Sequence, residues 1–232
     1  MTNADAHAPG GGLMTSGSPV AAVVIPAYNE ARTMRDIARR AAAQLPLVIV
    51  VDDGSTDGTA AMVAGLPVVL LRNEVNLGKA GSLRRGAGEA VRRGAQLIVT
   101  LDGDGQHAPE DIPLLLEAHH ASPGHIIIGA RLHRREKIPA PRYWANRVAN
   151  FWIGLAAGYS IADSQSGFRV YPARIFSEAR VRYDRAHSFV FESEVLIEAA
   201  RLGVDAICVP VRCSPAMPTV LPTNSSPRLK MP

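Results

Sequence analysis

Leu97–Gln106, L-I-V-T-L-D-G-D-G-Q, constrains this chain more than any other stretch. It opens on apolar and β-branched residues that predict a short buried strand, and two aspartates, Asp102 and Asp104, follow at once with one glycine between them. A charged carboxylate is costly in such a core without a partner. Both acids therefore belong at or just beyond the strand's carboxyl end, the edge where open parallel sheets bind ligands. Two acids converging there, with Gly103 and Gly105 keeping bulk away, make an oxygen-ligand site for a hard divalent cation that keeps positions open for phosphate oxygens. D-G pairs are also ordinary turn formers, so D-G-D alone leaves both readings standing.

The rest of the chain gives that strand its setting. Residues 1–18 are rich in Gly, Ala, Ser and Thr without periodicity and are expected to be a disordered leader; 19–212 form a single domain, and the proline-rich 213–232 are expected to be a disordered or aberrant tail. Strands are expected at Val20–Ile25, Leu47–Val51, Val68–Leu71, Ile126–Gly129 and Val204–Val211, besides the central one. Helices are expected over Glu30–Leu45, Thr59–Ala64, Ser82–Arg93, Pro109–His120, Arg142–Tyr159 and Phe189–Leu202, and the polar loop Asp163–Tyr171 enters a short strand. Strand–helix alternation with continuous apolar strands predicts an α/β fold, a mainly parallel central sheet flanked by helices.

Composition narrows the partners. A net charge of +4 and a pI near 9.4 suit an anionic ligand or membrane surface, while the clustered basic and aromatic patch of a nucleic-acid binder is missing. Two cysteines, Cys208 and Cys213, are too few for a disulfide framework or a zinc site, and Cys208 reads as a small hydrophobe in a strand. No apolar run reaches the roughly 18 residues of a bilayer span. With no charged-then-apolar signal opening the sequence either, the expected location is cytoplasmic; Trp144, Val148, Phe151, Trp152 and Leu155 share one face beside Arg142 and Arg147, a stripe that suits the core or else a peripheral place on the inner face of the cytoplasmic membrane.

A second acid pair, Asp52/Asp53, ends the strand Leu47–Val51. In a parallel sheet both pairs lie on one edge, so one can bind a ribose or base and the other a metal-bridged diphosphate. A nucleoside diphosphate satisfies both.

At these positions the sequence resembles the family 2 glycosyltransferases of GT-A fold, specifically the dolichyl- or polyprenyl-phosphate sugar transferase branch, over about Val20–Val211. V-V-I-P-A-Y-N-E (23–30) is similar to the family's opening strand and nucleotide loop, V-D-D-G-S-T-D-G-T (51–59) to its base and ribose turn, and N-L-G-K (76–79) to its N-x-G-K signature. D-G-D-G-Q-H (102–107) is similar to the D-x-D metal motif, and D-S-Q-S-G-F-R (163–169) to the D-x-x-S-G-F-R acceptor motif. The resemblance implies nucleotide contacts from Pro26, Tyr28, Glu30, Asp52, Asp53, Lys79 and Asp102. It implies Mg²⁺ or Mn²⁺ on Asp102, Asp104 and Gln106, and catalytic places for Asp104, Arg131, Asp163 and Arg169, with Lys79 and the two arginines near donor or acceptor phosphates. Donor and acceptor would be a UDP- or GDP-sugar and a lipid phosphate.

The implied reaction displaces the nucleoside diphosphate from the anomeric carbon with inversion. A lipid phosphate is already anionic and attacks without a base; a sugar hydroxyl, the alternative acceptor, needs a carboxylate, for which Asp163, Glu192 and Glu194 are candidates. A non-catalytic sugar-nucleotide-binding relative is the other alternative. A phosphoacceptor receiver domain shares the strand-end aspartates but is about half as long and lacks D-x-D-x-Q and S-G-F-R. After the last strand the sequence S-P-A-M-P-T-V-L-P departs from the family's Tyr-, Arg- and His-containing continuation, so nucleotide binding is expected to survive there better than turnover.

Overall fold

The first strand, β1 (Ala21–Ala27), is buried at all seven positions, as expected of an apolar run covered on both faces. The computed structural model describes residues 20–130, 140–183, 185–187 and 190–212. The expected leader and tail, Cys213 and Arg131 lie outside these residues. Within them, β2 (Val48–Asp52) and β4 (Leu97–Thr100) are buried throughout and flank β1 in parallel, with Val23 opposite both Val48 and Val99.

Seven strands form one sheet in the order β3-β2-β1-β4-β6-β5-β7, where β3 is Val69–Arg72, β5 Ile126–Ala130, β6 Arg169–Pro172 and β7 Ala206–Pro210. Every pairing is parallel except those of β6, which runs against both β4 and β5. The D-G-D strand is thus central, and β6 carries the S-G-F-R segment in beside it.

Side chains alternating across the strands build two cores. On one face α3 (Gly78–Arg92), α6 (Ile175–Glu178) and α7 (Phe191–Arg201) cover Ala22, Val24, Ile49, Val51 and Ile98. On the other, α1 (Met34–Ala42) and α4 (Ile112–Ala121) cover Val23, Ile25, Val50 and Val99. The remaining long helix, α5 (Ala140–Ala157), packs Ile153 and Ala157 toward the first core.

Several boundaries move for identifiable reasons. The expected helix from Glu30 starts only at Met34, because the backbone over Asn29–Ala31 bonds to side chains following β2. The helix expected from Ser82 starts earlier, at Gly78, because Asp53 accepts hydrogen bonds from the Leu77 and Gly78 amides at 2.9 and 2.8 Å. Gly78 sits at φ +80°, a turn that only glycine enters without strain. The stretch expected to be helical to Ala64 is the four-residue α2 (Thr59–Met62), with Asp57 accepting from the Thr59 amide. Cys208 is half-buried on β7.

Candidate active site

Three loops at the carboxyl edge of β1, β2 and β4 are locked together. Asn29, in the left-handed conformation at φ +58°, donates its amide to Ser55 Oγ at 2.9 Å and accepts the Thr56 amide on its side chain at 3.0 Å. The Glu30 amide bonds Thr59 Oγ1 at 2.9 Å and that of Ala31 bonds Asp57 Oδ2 at 3.0 Å. Thr33 Oγ1 then donates to the carbonyl of Gly103 at 2.6 Å, fixing the D-G-D backbone to the first loop. Such cross-loop bonds restrict the freedom that surface loops otherwise keep.

Among these loops sit the acids. Burial and then the charge of Asp104 push the Glu30 carboxyl above its usual range, against a hydrogen bond from Thr33 and with Asp57 and Asp102 adding to the rise. Two like charges close enough to disturb each other mark a place that a cation would relieve. Asp104 Oδ1 accepts the Gln106 amide at 2.9 Å, which orients it. Among the described residues no three His, Cys, Asp or Glu side chains converge to cage an ion on their own. The carboxylates of Asp102 and Asp104, with the amide-bearing Gln106 two residues on, are a donor set of the kind that suits a Mg²⁺- or Mn²⁺-type ion completing its shell with phosphate and water.

Lys79, in the first turn of α3, lies 2.6 Å from Asp102 Oδ1 and 2.6 Å from Glu192 Oε1 on α7. Burial works to lower the ammonium's pKa, but the charges of Asp102 and Glu192 outweigh it and hold Lys79 protonated well above its ordinary range. Gly167 closes over this pair: a Cβ there would stand 2.6 Å from Lys79 Nζ and closer still to Asp102 Oδ2. Glycine is the one residue that lets the S-G-F-R backbone come so near. Thr100 Oγ1 secures that approach by donating to the Gly167 carbonyl at 2.7 Å.

The acids after β2 serve different ends. Asp53 binds the Asn73 side chain at 2.6 Å as well as the two amides that begin α3, so the chain's own donors occupy its carboxylate. Asp52 is fully buried; its Oδ1 accepts the Ser55 amide at 3.0 Å, and Oδ2 faces Arg72 Nε at 3.3 Å without a hydrogen bond. Pro26 is buried near the end of β1, whose buried run closes at Ala27, and Tyr28 just beyond is 47% exposed.

The S-G-F-R arginine lies beneath the site. Arg169 is completely buried, and its guanidinium donates to the carbonyls of Ser164, Ser166 and Glu192 at 2.8, 2.7 and 2.9 Å and to the Tyr171 hydroxyl at 3.1 Å. No ion pair joins it to Asp163, which instead accepts the Gln165 amide at 3.1 Å and turns the loop toward Gly167. The structure therefore brings Glu30, Lys79, Asp102 and Asp104 to one edge and places Arg169 and Asp53 in its scaffold. Glu192, weighed from sequence only as a possible base, reaches this edge as a partner of Lys79; nothing local signals that pairing, since more than a hundred residues separate the two.

Comparison with known proteins agrees with this architecture. Residues 22–180 match the family described as glycosyl transferase family 2. The chain is 28% identical over 214 residues to a UDP-N-acetylglucosamine–dolichyl-phosphate N-acetylglucosaminyltransferase of Methanococcus voltae, covering 82% of this chain and 84% of that protein. It is 28% identical to the polyprenol monophosphomannose synthase of Mycolicibacterium smegmatis, covering 82% and 75%. In fold it is similar, with a TM-score of 0.62 at 18% identity and 92% and 80% coverage, to glucosyl-3-phosphoglycerate synthase from Mycobacterium tuberculosis, crystallised with Mn²⁺, UDP and glucosyl-3-phosphoglycerate. A match running through β1 to β6 shows that this chain, a glycosyltransferase of GT-A fold, belongs to glycosyl transferase family 2.

Proposed function

We propose that this enzyme transfers a sugar, with inversion, from a UDP- or GDP-sugar to a polyprenyl-phosphate-type lipid. The observation that carries the reading is Lys79 set between Asp102 and Glu192 at the edge that also holds Asp104: acids for a cation and an ammonium for phosphate, side by side. Asp102 and Asp104, with Gln106, would hold Mg²⁺ or Mn²⁺, which supplies electrostatic stabilisation of charge on the departing diphosphate.

The chain's own groups do the remainder. Tyr28, half-exposed beyond β1, offers a face for the base, and the buried Asp52 with the Asp53-capped turn shapes the floor beside it. Glu30 lines the same loop. Lys79 stands ready to meet the diphosphate. The acceptor phosphate oxygen forms a bond to the anomeric carbon while the bond to the nucleoside diphosphate breaks and its electron pair leaves with the diphosphate. An anionic phosphate needs no base for this step, in keeping with Glu192 being engaged by Lys79. Arg131 and Asp163 are assigned to the acceptor side of the site, and Arg169 to holding the loop that carries Asp163 and Gly167.

A lipid acceptor also suits α5. Trp144, Val148, Phe151, Trp152 and Leu155 repeat at helical spacing, and each is 55–64% exposed. Behind them a groove of about 800 Å³ is lined by Arg147, Phe151, Leu155, Tyr159 and Ile161. Asn150 joins its wall to the acceptor loop, donating to the Ala162 carbonyl at 2.7 Å and accepting from Ser164 Oγ at 2.6 Å. Among the described residues no helix is long and apolar enough to cross a membrane. Peripheral contact through α5, on the inner face of the cytoplasmic membrane where nucleotide sugars are supplied, would deliver the acceptor.

Calorimetric titration of UDP and GDP, each with and without Mn²⁺, tests the donor side. One nucleotide is expected to bind in a Mn²⁺-dependent way that Asp104→Ala abolishes, and a transfer assay with undecaprenyl phosphate then tests the acceptor. Binding of neither nucleotide would overturn the reading.

A further inference from the structure

We propose that Glu192 is a positioning residue for the D-G-D motif, acting through Lys79 to keep Asp102 available to a divalent cation. The inference rests on the metal–nucleotide reading of this edge. Its basis is a continuous set of contacts: the Arg169 guanidinium holds the Glu192 carbonyl at 2.9 Å, the Glu192 carboxylate holds Lys79 at 2.6 Å, and Lys79 holds Asp102 at 2.6 Å. Only 14% of the Glu192 side chain is exposed, and a backbone hydrogen bond to buried Arg169 fixes the turn that carries it.

Charge gives the contacts their meaning. Lys79 shared between two carboxylates leaves the three residues with one net negative charge, so Asp102 remains attractive to a cation. Without the Glu192 charge, Lys79 neutralises Asp102 alone, and an incoming Mn²⁺ meets an ammonium already in its place. Without Lys79, Asp102 and Glu192 lose the positive charge they share, and the edge becomes more attractive to a cation. The ordering of Mn²⁺ affinity is therefore Lys79→Met tightest, wild type next, Glu192→Gln weakest. Gly167 preserves the coupling, because a side chain there would meet Asp102 and Lys79 and push the pair out of place.

Mn²⁺ binding without nucleotide, followed by the paramagnetic resonance of free Mn²⁺ in solution, reads this directly. Charge–charge coupling at these separations corresponds to about a five-fold weakening in Glu192→Gln and a tightening of similar size in Lys79→Met. A purely structural role for Glu192 and Lys79 would weaken binding in both, so movement in the same direction, or in neither, overturns the proposal. Should Glu192→Gln fail to fold by its thermal melt, the direction of Lys79→Met decides alone. Asp104→Ala separates the two levels of argument. Wild-type binding that Asp104→Ala abolishes, with Glu192→Gln and Lys79→Met shifting together, defeats the positioning role and leaves the metal site standing. No Mn²⁺ binding by the wild type defeats both.

Discussion

Gly167 shows how much can hang on one absent side chain. A methyl group there would strike the ends of Asp102 and Lys79, both flexible enough to move aside. Gly167→Ala should therefore retain the fold, with a melting temperature within a few degrees of wild type, while Mn²⁺-dependent nucleotide binding falls at least about ten-fold; calorimetry beside a thermal melt checks both. Asp53 predicts the reverse. Its carboxylate satisfies two helix-start amides and the Asn73 side chain, so Asp53→Ala should cost about 3 kcal/mol in urea denaturation through donors left unpaired. The difference between these residues was only half legible in the sequence. D-G-D announces its acids because charged residues straight after an apolar strand must sit at the strand end, whereas Lys79 of N-L-G-K was legible only through the family resemblance. That Asp53 would be spent on the chain's own amides, or that Arg169 would be buried against backbone carbonyls, depends on contacts across 24 and 23 residues, which spacing does not encode.

At the scale of elements, continuous apolar runs disclosed the strands and helical spacing disclosed the long helices, while α2 shrank to four residues and α1 and α3 began where loop contacts dictated. The direction of β6 was not legible at all. Strand direction is a property of pairing, and Val170 lying opposite both Val99 and Ile127 in antiparallel register is a long-range outcome. The stripe of α5 was legible from its spacing, whereas its exposure depends on what packs against the helix and was not, and it makes a prediction of its own. Trp152→Ser should reduce co-flotation with phosphatidylglycerol-containing vesicles several-fold. It should leave the melting temperature within about 2 °C of wild type, since Trp152 is 62% exposed and gives the core little. Unchanged flotation would remove α5 from the acceptor's route.

Over the whole molecule, ties between α1 and the loops at the ends of the strands join distant parts of the chain. Arg40 on α1 grips Glu110, just past D-G-D-G-Q-H, through hydrogen bonds of 2.8 and 2.6 Å, and Arg212 beyond β7 grips the neighbouring Asp111 at 2.7 Å. The hydrogen bond from Arg40, stronger than the opposing burial, draws the Glu110 carboxyl from an ordinary 4.5 down to about 2. A carboxyl depressed in the folded state stabilises above its unfolded pKa and loses that contribution as pH falls through the folded one. Glu110→Gln should thus lower stability by about 0.5–1 kcal/mol near neutral pH, small because the pair is partly exposed. The gap should close between pH 4.5 and about 2, a window that urea denaturation at stepped pH would reveal. The antiparallel course of β6 has another consequence for the molecule as a whole. Strands β1, β2 and β4 bring to the site the residues that follow them, whereas β6 brings the residues that precede it. Insertions would then be tolerated on opposite sides of these strands: at Gly94–Gln96 before β4 and at Ala173–Arg174 after β6, but not at Gly103–Gly105 or Gln165–Gly167. A lineage of such chains would be free to lengthen at one rim of the sheet while the other stays fixed in length.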